Sequence, residues 1–315
     1  MKFLSGLSAF PITPMNRDGQ IDAEALRKLV ARLCTAEVDS IGLLGSTGTY
    51  MYLSREERRR ALALALEEIG GRTPIVVGVG ALRTDEAVRL AQDAKTLGAS
   101  AGLLAAVSYI PLSEDEVFEH FSWVARESRL PIIIYDNPGT THFRFTPALV
   151  GRLAQVPGVV AIKNPIDKPD EIRGHLVDQR GRTPSDFSIG YSGDCDSTEA
   201  MICGADTWYS VLAGIMPDVC LRIVRAAQQG DVAEARRLDA ALGPTWDLFK
   251  QFSSFRTVYA FADLLGVCQA EPPRPILPLP ESAKRRAAEC LSRVRQDLDE
   301  VKTAGLSKPP SPGKA

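Results

Sequence analysis

Pro131-Ile132-Ile133-Ile134-Tyr135-Asp136-Asn137-Pro138 and, further on, Val159-Val160-Ala161-Ile162-Lys163 bracket a segment, Pro147–Ala154, with helical periodicity. Each outer run is short, nearly continuous in apolar residues and closed by polar ones. That is how a parallel strand reads when helices cover its outer face. The same alternation extends in both directions. Strands are expected at Gly6–Phe10, Ser40–Leu44, Pro74–Val79, Ala101–Ala106, Pro131–Tyr135, Val159–Lys163, Phe187–Gly190 and Thr207–Val211. Between them the spacing predicts helices over Asp22–Ala36, Ser54–Ile69, Asp85–Leu97, Ser113–Ser128, Pro147–Ala154, Pro169–Asp178 and Ser197–Cys203. Ser54 with Glu57, and Ser113 with Glu116, have the capping-box spacing.

Eight strands alternating with helices fit a (β/α)8 TIM barrel or a doubly wound open sheet. The Gly-rich dinucleotide fingerprint is missing after the first strand, where Pro11-Ile12-Thr13-Pro14 stands, and this counts against the open sheet. The expected class is therefore α/β, a (β/α)8 barrel over residues 1–220. After Ala213 the alternation stops. Pro217–Gln229, Asp231–Lys250, Phe252–Leu265 and Ser282–Val301 read as helices, broken at Gly230, around Gln251 and through the proline-rich Glu271–Pro280. Residues 221–302 are expected to form a C-terminal helical extension packed on the barrel, and 303–315 a disordered tail rich in Pro, Lys, Ser and Gly.

Bulk properties narrow the function classes. The chain has 315 residues, 45% hydrophobic and 24% charged, with a formal net charge of -2. Nothing in that balance attracts nucleic acid or an anionic membrane. No apolar run reaches the length of a membrane span, and Met1–Thr13 does not read as a secretory leader, so a cytoplasmic protein is expected. Six cysteines without a CxxC pair read as free thiols. His120, His142 and His175 lack the pairing that a metal site needs, so no metal is expected.

Catalytic groups in barrels gather at the C-terminal ends of strands. Period-two alternation puts Val159, Ala161 and Lys163 on one face, which would aim the ammonium into the barrel mouth. A lysine taken out of water gives up its proton more readily, and a free amine attacks ketones to form an imine. The competing reading is a lysine that caps its strand and snorkels out. Tyr135 closes the neighbouring strand, where a phenol is placed to move protons; a tyrosine bonded to a backbone carbonyl is its alternative. Gly45-Ser46-Thr47-Gly48-Thr49 combines free backbone with two hydroxyls, a cradle for a carboxylate or merely a strand-to-helix turn. Asp194 and Asp196 follow the seventh strand, though Gly193-Asp194 also reads as a turn. Arg55–Arg60, mixed with Glu56 and Glu57, reads as a solvated face.

These residues carry a resemblance. Ala9-Phe10-Pro11-Ile12-Thr13-Pro14, Gly45-Ser46-Thr47-Gly48, Ser54-Arg55-Glu56-Glu57-Arg58, Tyr135-Asp136-Asn137-Pro138-Gly139, Ala161-Ile162-Lys163 and Pro273–Leu279 together resemble the dihydrodipicolinate synthase/N-acetylneuraminate lyase family of pyruvate-dependent class I aldolases. The resemblance runs from about Leu4 to Leu279. It implies Lys163 as the Schiff-base lysine, Tyr135 as the proton shuttle, and Ser46 with Thr47 as the hydroxyl pair, Thr47 both holding the pyruvate carboxylate and relaying protons to Tyr135. It implies Tyr109 as a tyrosine inserted into an adjacent subunit, a homotetramer built as a dimer of dimers, and no external cofactor. Gly45 and Tyr209 complete the expected substrate-binding set.

Two positions depart from the family pattern. Thr49 stands where the family loop usually has Glu. Thr140, in Gly139-Thr140-Thr141-His142, stands where synthases that accept aspartate semialdehyde carry an arginine. A threonine cannot clamp a second carboxylate bidentately, so aspartate semialdehyde is not the expected aldehyde. Thr140, His142, Arg144 or Asn164 would hold the second substrate. The expected activity is making or breaking a carbon–carbon bond between pyruvate, or a related 2-keto acid, and an aldehyde. The alternatives are a Schiff-base dehydratase or deaminase of a 2-keto sugar acid or cyclic imino acid, and a keto-acid-binding protein without turnover.

Overall fold

The computed structural model describes residues 2–16 and 18–305. Eight parallel strands close into a barrel in chain order: β1 (Gly6–Ala9), β2 (Ser40–Leu43), β3 (Ile75–Gly78), β4 (Ala101–Ala105), β5 (Ile132–Tyr135), β6 (Val159–Asn164), β7 (Ser188–Tyr191) and β8 (Thr207–Ser210). The expected strands all form, each a residue or two away from the apolar run that marks it. The seam pairs β8 with β1, Ser8 standing opposite Tyr209. Asp39 braces it, its carboxylate accepting from the Leu7 N–H at 2.7 Å and from Arg225 at 2.9 Å.

Strand alternation divides the side chains into two packed layers. Phe10, Val76, Ala101, Leu103, Ala105, Ile133, Tyr135, Ala161 and Tyr209 fill the barrel interior. Ile132, Ile134, Ile162, Ile189 and Trp208 point outward into the larger core between sheet and helices. One strand breaks the simple period. Ile132 pairs with Val159 but Ile133 pairs with Ala161, so Val160 is an extra residue, a bulge. Val159 therefore packs in the outer core while Ala161 and Lys163 stay on the inner face. The expectation that Val159 shares their face is corrected by this slip.

The two capping boxes form as expected, at Ser54–Glu57 and Ser113–Glu116. The helix after β8, Pro217–Gln228, buries Val219, Cys220, Ile223 and Val224 and completes the outer ring of the barrel. The boundary expected at residue 220 falls inside it. Beyond lie helices Val232–Ala241, Gly243–Phe252, Ser254–Leu264 and Glu281–Gly305. The single helix expected over Asp231–Lys250 is two, because Pro244 has no N–H to donate and the chain re-nucleates there, with Thr245 and Trp246 bonding back to the Leu242 carbonyl. The next break is at Ser253 rather than Gln251. The last helix runs three residues into the expected tail, and the remainder of that tail, 306–315, lies outside the described residues. Among the described residues no helix is long and apolar enough to cross a membrane. All six cysteines are free thiols.

Position 78 shows how tightly the end of β3 meets the turn after β2. A Cβ on Gly78 would stand 1.8 Å from the carbonyl oxygen of Leu44. Backbone cannot swing aside as a side chain can, so Gly78→Ala is expected to cost roughly 1–3 kcal/mol, the range for overpacked interiors. Urea unfolding checks this; a variant as stable as the wild type would show that the turn is not held there.

Candidate active site

Lys163 ends the inner row of β6, and the parallel ladder sets it directly across from Tyr135 on one side and Gly190 on the other. Its side chain is buried. The ammonium lies 3.9 Å from the centroid of the Tyr135 ring and 5.5 Å from that of Phe10, so two aromatic faces supply the attraction that water would otherwise give. It thus stays inside and does not snorkel.

The Tyr135 hydroxyl leads across the mouth to the turn after β2. Its oxygen is 3.1 Å from Ser46 Oγ, and the Asn137 amide donates to both, at 3.1 Å to Tyr135 and 3.3 Å to Ser46. Ser46, not Thr47, is the hydroxyl that meets Tyr135. Thr47 is buried beside it in the same turn. Asn137 was missed by sequence reasoning, although it lies inside the quoted motif; a side-chain amide directly after a strand-ending Tyr-Asp pair is the signal that was available.

The turn itself is held hard. Gly45 and Gly42 lie under the Phe10 ring, where a Cβ would come within 2.8 Å and 2.3 Å of ring carbons. The Gly48 carbonyl accepts from the hydroxyls of Thr13 at 2.7 Å and Thr49 at 2.8 Å. Thr49 occupies the left-handed region at φ 58, uncommon for a β-branched residue, and is fully enclosed. The turn's own backbone bonds use the N–H groups of Thr49 and Tyr50. Arg58 is the exception to the solvated face expected at Arg55–Arg60. It sits on the helix side shared with Ala61, Leu62 and Ala65, and its buried guanidinium donates to the carbonyls of Leu53 and Gly80 while lying over the Tyr50 ring. Burial pulls its pKa down. The turn is thereby tied to the end of β3.

Other expected site residues lie elsewhere. Tyr209 is 1% exposed, with its ring across Gly190 and edge-on to Phe10 at 5.9 Å, so it is packed inside the barrel. Thr140 is exposed and turns its hydroxyl back to the Asn137 carbonyl at 3.2 Å. His142 is exposed at positive φ, at the end of the short helix Pro138–Thr141. Tyr109 stands 91% exposed. Arg144 pairs with Asp167. Asn164 exchanges a pair of side-chain hydrogen bonds with Gln179, each 2.9 Å, and belongs to the packing. Asp194 is wholly buried, accepting from the Trp208 indole at 2.9 Å and the Leu212 N–H at 2.7 Å; it clamps the chain after β8.

The arrangement joins an amine, a phenol and a hydroxyl-bearing turn at one end of the barrel, the equipment for imine formation and proton transfer. The profile of the Dihydrodipicolinate synthetase family matches residues 3–294. The chain belongs to this family. Membership makes it a lyase of the class I, Schiff-base, pyruvate-dependent aldolase type. A curated relative from Methylococcus capsulatus, named 4-hydroxy-tetrahydrodipicolinate synthase, is 35% identical over 91% of this chain and 94% of its own. A solved dihydrodipicolinate synthase from Agrobacterium tumefaciens is 51% identical, covers 93% of this chain and 98% of its own, and superposes with a TM-score of 0.91. Another family structure, from Acinetobacter baumannii, is complexed with pyruvate; it is 27% identical, covers 93% of this chain and 99% of its own, with a TM-score of 0.86. The names of these relatives give no support to the expectation that aspartate semialdehyde is excluded.

Next to the site lies a buried carboxyl. Asp136 follows Tyr135 and points the other way, into a cleft of about 480 Å³ that Arg144, Asp167 and His175 also line; its Oδ1 has no partner. Burial raises its pKa from 3.8 to about 7, against the pull of Arg144. The folded chain thus holds a proton that the unfolded chain has released, and the stability this confers, complete below about pH 4, is lost as pH rises toward 7. Asp136→Asn, which cannot ionise, is expected to gain on the wild type by up to ~1.4 kcal/mol per pH unit between pH 5 and 7. Urea unfolding at several pH values measures the gap; a constant gap would contradict the raised pKa.

Proposed function

We propose that Lys163 forms the imine with pyruvate and that the enzyme joins it to an aldehyde or releases it from a longer 2-keto acid. One observation carries the reading: the Lys163 ammonium rests on the ring of Tyr135, whose hydroxyl is bonded to Ser46 of the turn expected to receive a carboxylate. Ser46, Thr47 and the backbone of the 45–48 turn hold the pyruvate carboxylate. Lys163 attacks the ketone, and water leaves the carbinolamine as Tyr135 and Ser46 move protons. Loss of a methyl proton then gives an enamine that attacks the aldehyde; cleavage runs the same steps backwards. The imine is the electron sink, so the cycle asks for no further cofactor.

The aldehyde is held on the side of Thr140 and His142. Thr140 supplies no positive charge there, yet the relatives bear the name of a synthase, so aspartate semialdehyde stands among the aldehydes to be tried. Tyr109, almost fully exposed beside Ile110 at 66%, suits insertion into a neighbouring subunit of a homotetramer.

Intact-mass measurement after borohydride reduction with pyruvate tests the reading. A reduced-pyruvate adduct is expected on the wild type, mapping to Lys163, and none on Lys163→Ala. Pyruvate consumption with a panel of aldehydes, aspartate semialdehyde included, then names the second substrate. A folded wild type that acquires no adduct from pyruvate or larger 2-keto acids would refute the assignment.

A further inference from the structure

We infer that Asn137 is a positioning residue that sets the direction of the hydroxyl hydrogens at the Tyr135–Ser46 pair. The inference rests on the Lys163 imine reading, because it concerns the protons that imine formation needs.

The Asn137 Nδ2 carries two hydrogens and accepts none. It lies 3.1 Å from Tyr135 Oη and 3.3 Å from Ser46 Oγ, and those oxygens are 3.1 Å apart. Each hydroxyl brings one hydrogen. One of the two lies between the oxygens, and the amide, being a donor to both, takes neither. The other must therefore leave the triangle. Either Tyr135 donates to Ser46 and the serine hydrogen is released, or Ser46 donates to Tyr135 and the phenol hydrogen is released. Passing a proton along the pair converts one state into the other, as a shuttle requires. When Tyr135 hands its proton to the departing carbinolamine oxygen, the Asn137 N–H and the Ser46 O–H already point at the oxygen that is left.

The backbone holds Asn137 in place for this. Its carbonyl accepts from the N–H groups of Thr140 at 2.9 Å and Thr141 at 3.0 Å and from the Thr140 hydroxyl at 3.2 Å, while the Thr141 hydroxyl is shared between it, at 3.1 Å, and the Phe143 carbonyl, at 3.2 Å. Pro138 follows and restricts the backbone of Asn137 further. These bonds fix the backbone of the residue, from which the side-chain amide reaches both hydroxyls. Thr140 then has a second meaning. Its hydroxyl and N–H help to anchor the residue whose amide steers Tyr135.

The test uses the full-length enzyme, Asn137→Asp and Asn137→Leu, all checked for folding by circular dichroism. Asp keeps the shape and removes both donated hydrogens; Leu removes the polar group. The rate at which the pyruvate imine forms is read by borohydride quenching over a range of pyruvate concentrations. Two hydrogen bonds of ordinary strength are at stake, so the maximal rate is expected to fall roughly 10–100-fold in both variants. The half-saturating pyruvate concentration is expected to move by less than about threefold, and the adduct to remain on Lys163. Asn137→Asp forming the imine at the wild-type rate would overturn the inference, since space-filling alone would survive that change. So would a weakened pyruvate affinity with an unchanged maximal rate. Absence of any adduct on the wild type would instead refute the assignment of Lys163, and is seen before the variants are compared.

Discussion

The register between β5 and β6 is the constraint on which the site depends. In a strand every second side chain shares a face, so a slip of one residue sends each side chain to the opposite side. Val160 is such a slip, and it lies upstream of Lys163. Above the bulge the ladder sets Ile133 beside Ala161 and Tyr135 beside Lys163, both pairs facing inward. Were Val160 to take Ile133 as its regular partner while the pairing below it was kept, every later residue of β6 would change face and the lysine would turn out among the helices, away from the phenol. A single irregularity thus decides whether amine and phenol meet.

The partner of this register is the turn after β2, whose shape is set from three directions. Phe10 presses on Gly42 and Gly45 from the first loop, Gly78 admits the Leu44 carbonyl from the side, and Arg58 ties the far end to Gly80. The inner aromatic layer therefore serves two purposes. Phe10 fills the barrel and faces the Lys163 ammonium, and it is also the template against which the hydroxyl-bearing turn is moulded. Positive φ at Leu44 and Thr49 shows how sharply the chain must bend to bring Ser46 to the phenol.

Much of this was legible in the residues. The eight strands announce themselves because a parallel sheet covered by helices needs apolar side chains on both faces, and runs such as Ile132–Ile134 have no other economical reading. Lys163 and Tyr135 stood out because polar groups at the ends of such runs have nowhere to go but the mouth. What stayed hidden depends on tertiary geometry. The Val160 bulge leaves no mark, since Val159 and Val160 are chemically alike. Arg58 looks like its solvated neighbours until the helix is rotated onto the sheet. Tyr209 has the chemistry of a ligand contact, and only the folded barrel shows its ring packed against Gly190 and Phe10. Asn137 was passed over because the order of hydrogen bonds between three side chains from two loops cannot be read from spacing.

The seam between β8 and β1 bears on how the chain is made. Gly6–Ala9 leaves the ribosome long before its partner Thr207–Ser210, the last strand of the barrel. Until then the nascent sheet has an open flank of unpaired backbone groups, the kind of edge that invites pairing with another chain. β2 can cover one side of β1 early, but the other side waits for most of the polypeptide. Asp39, bonded both to Leu7 and to Arg225 of the helix after β8, fastens the first strand to the element that follows the last once both exist. A ribosome that stalls before Thr207 leaves not a smaller enzyme but an adhesive one.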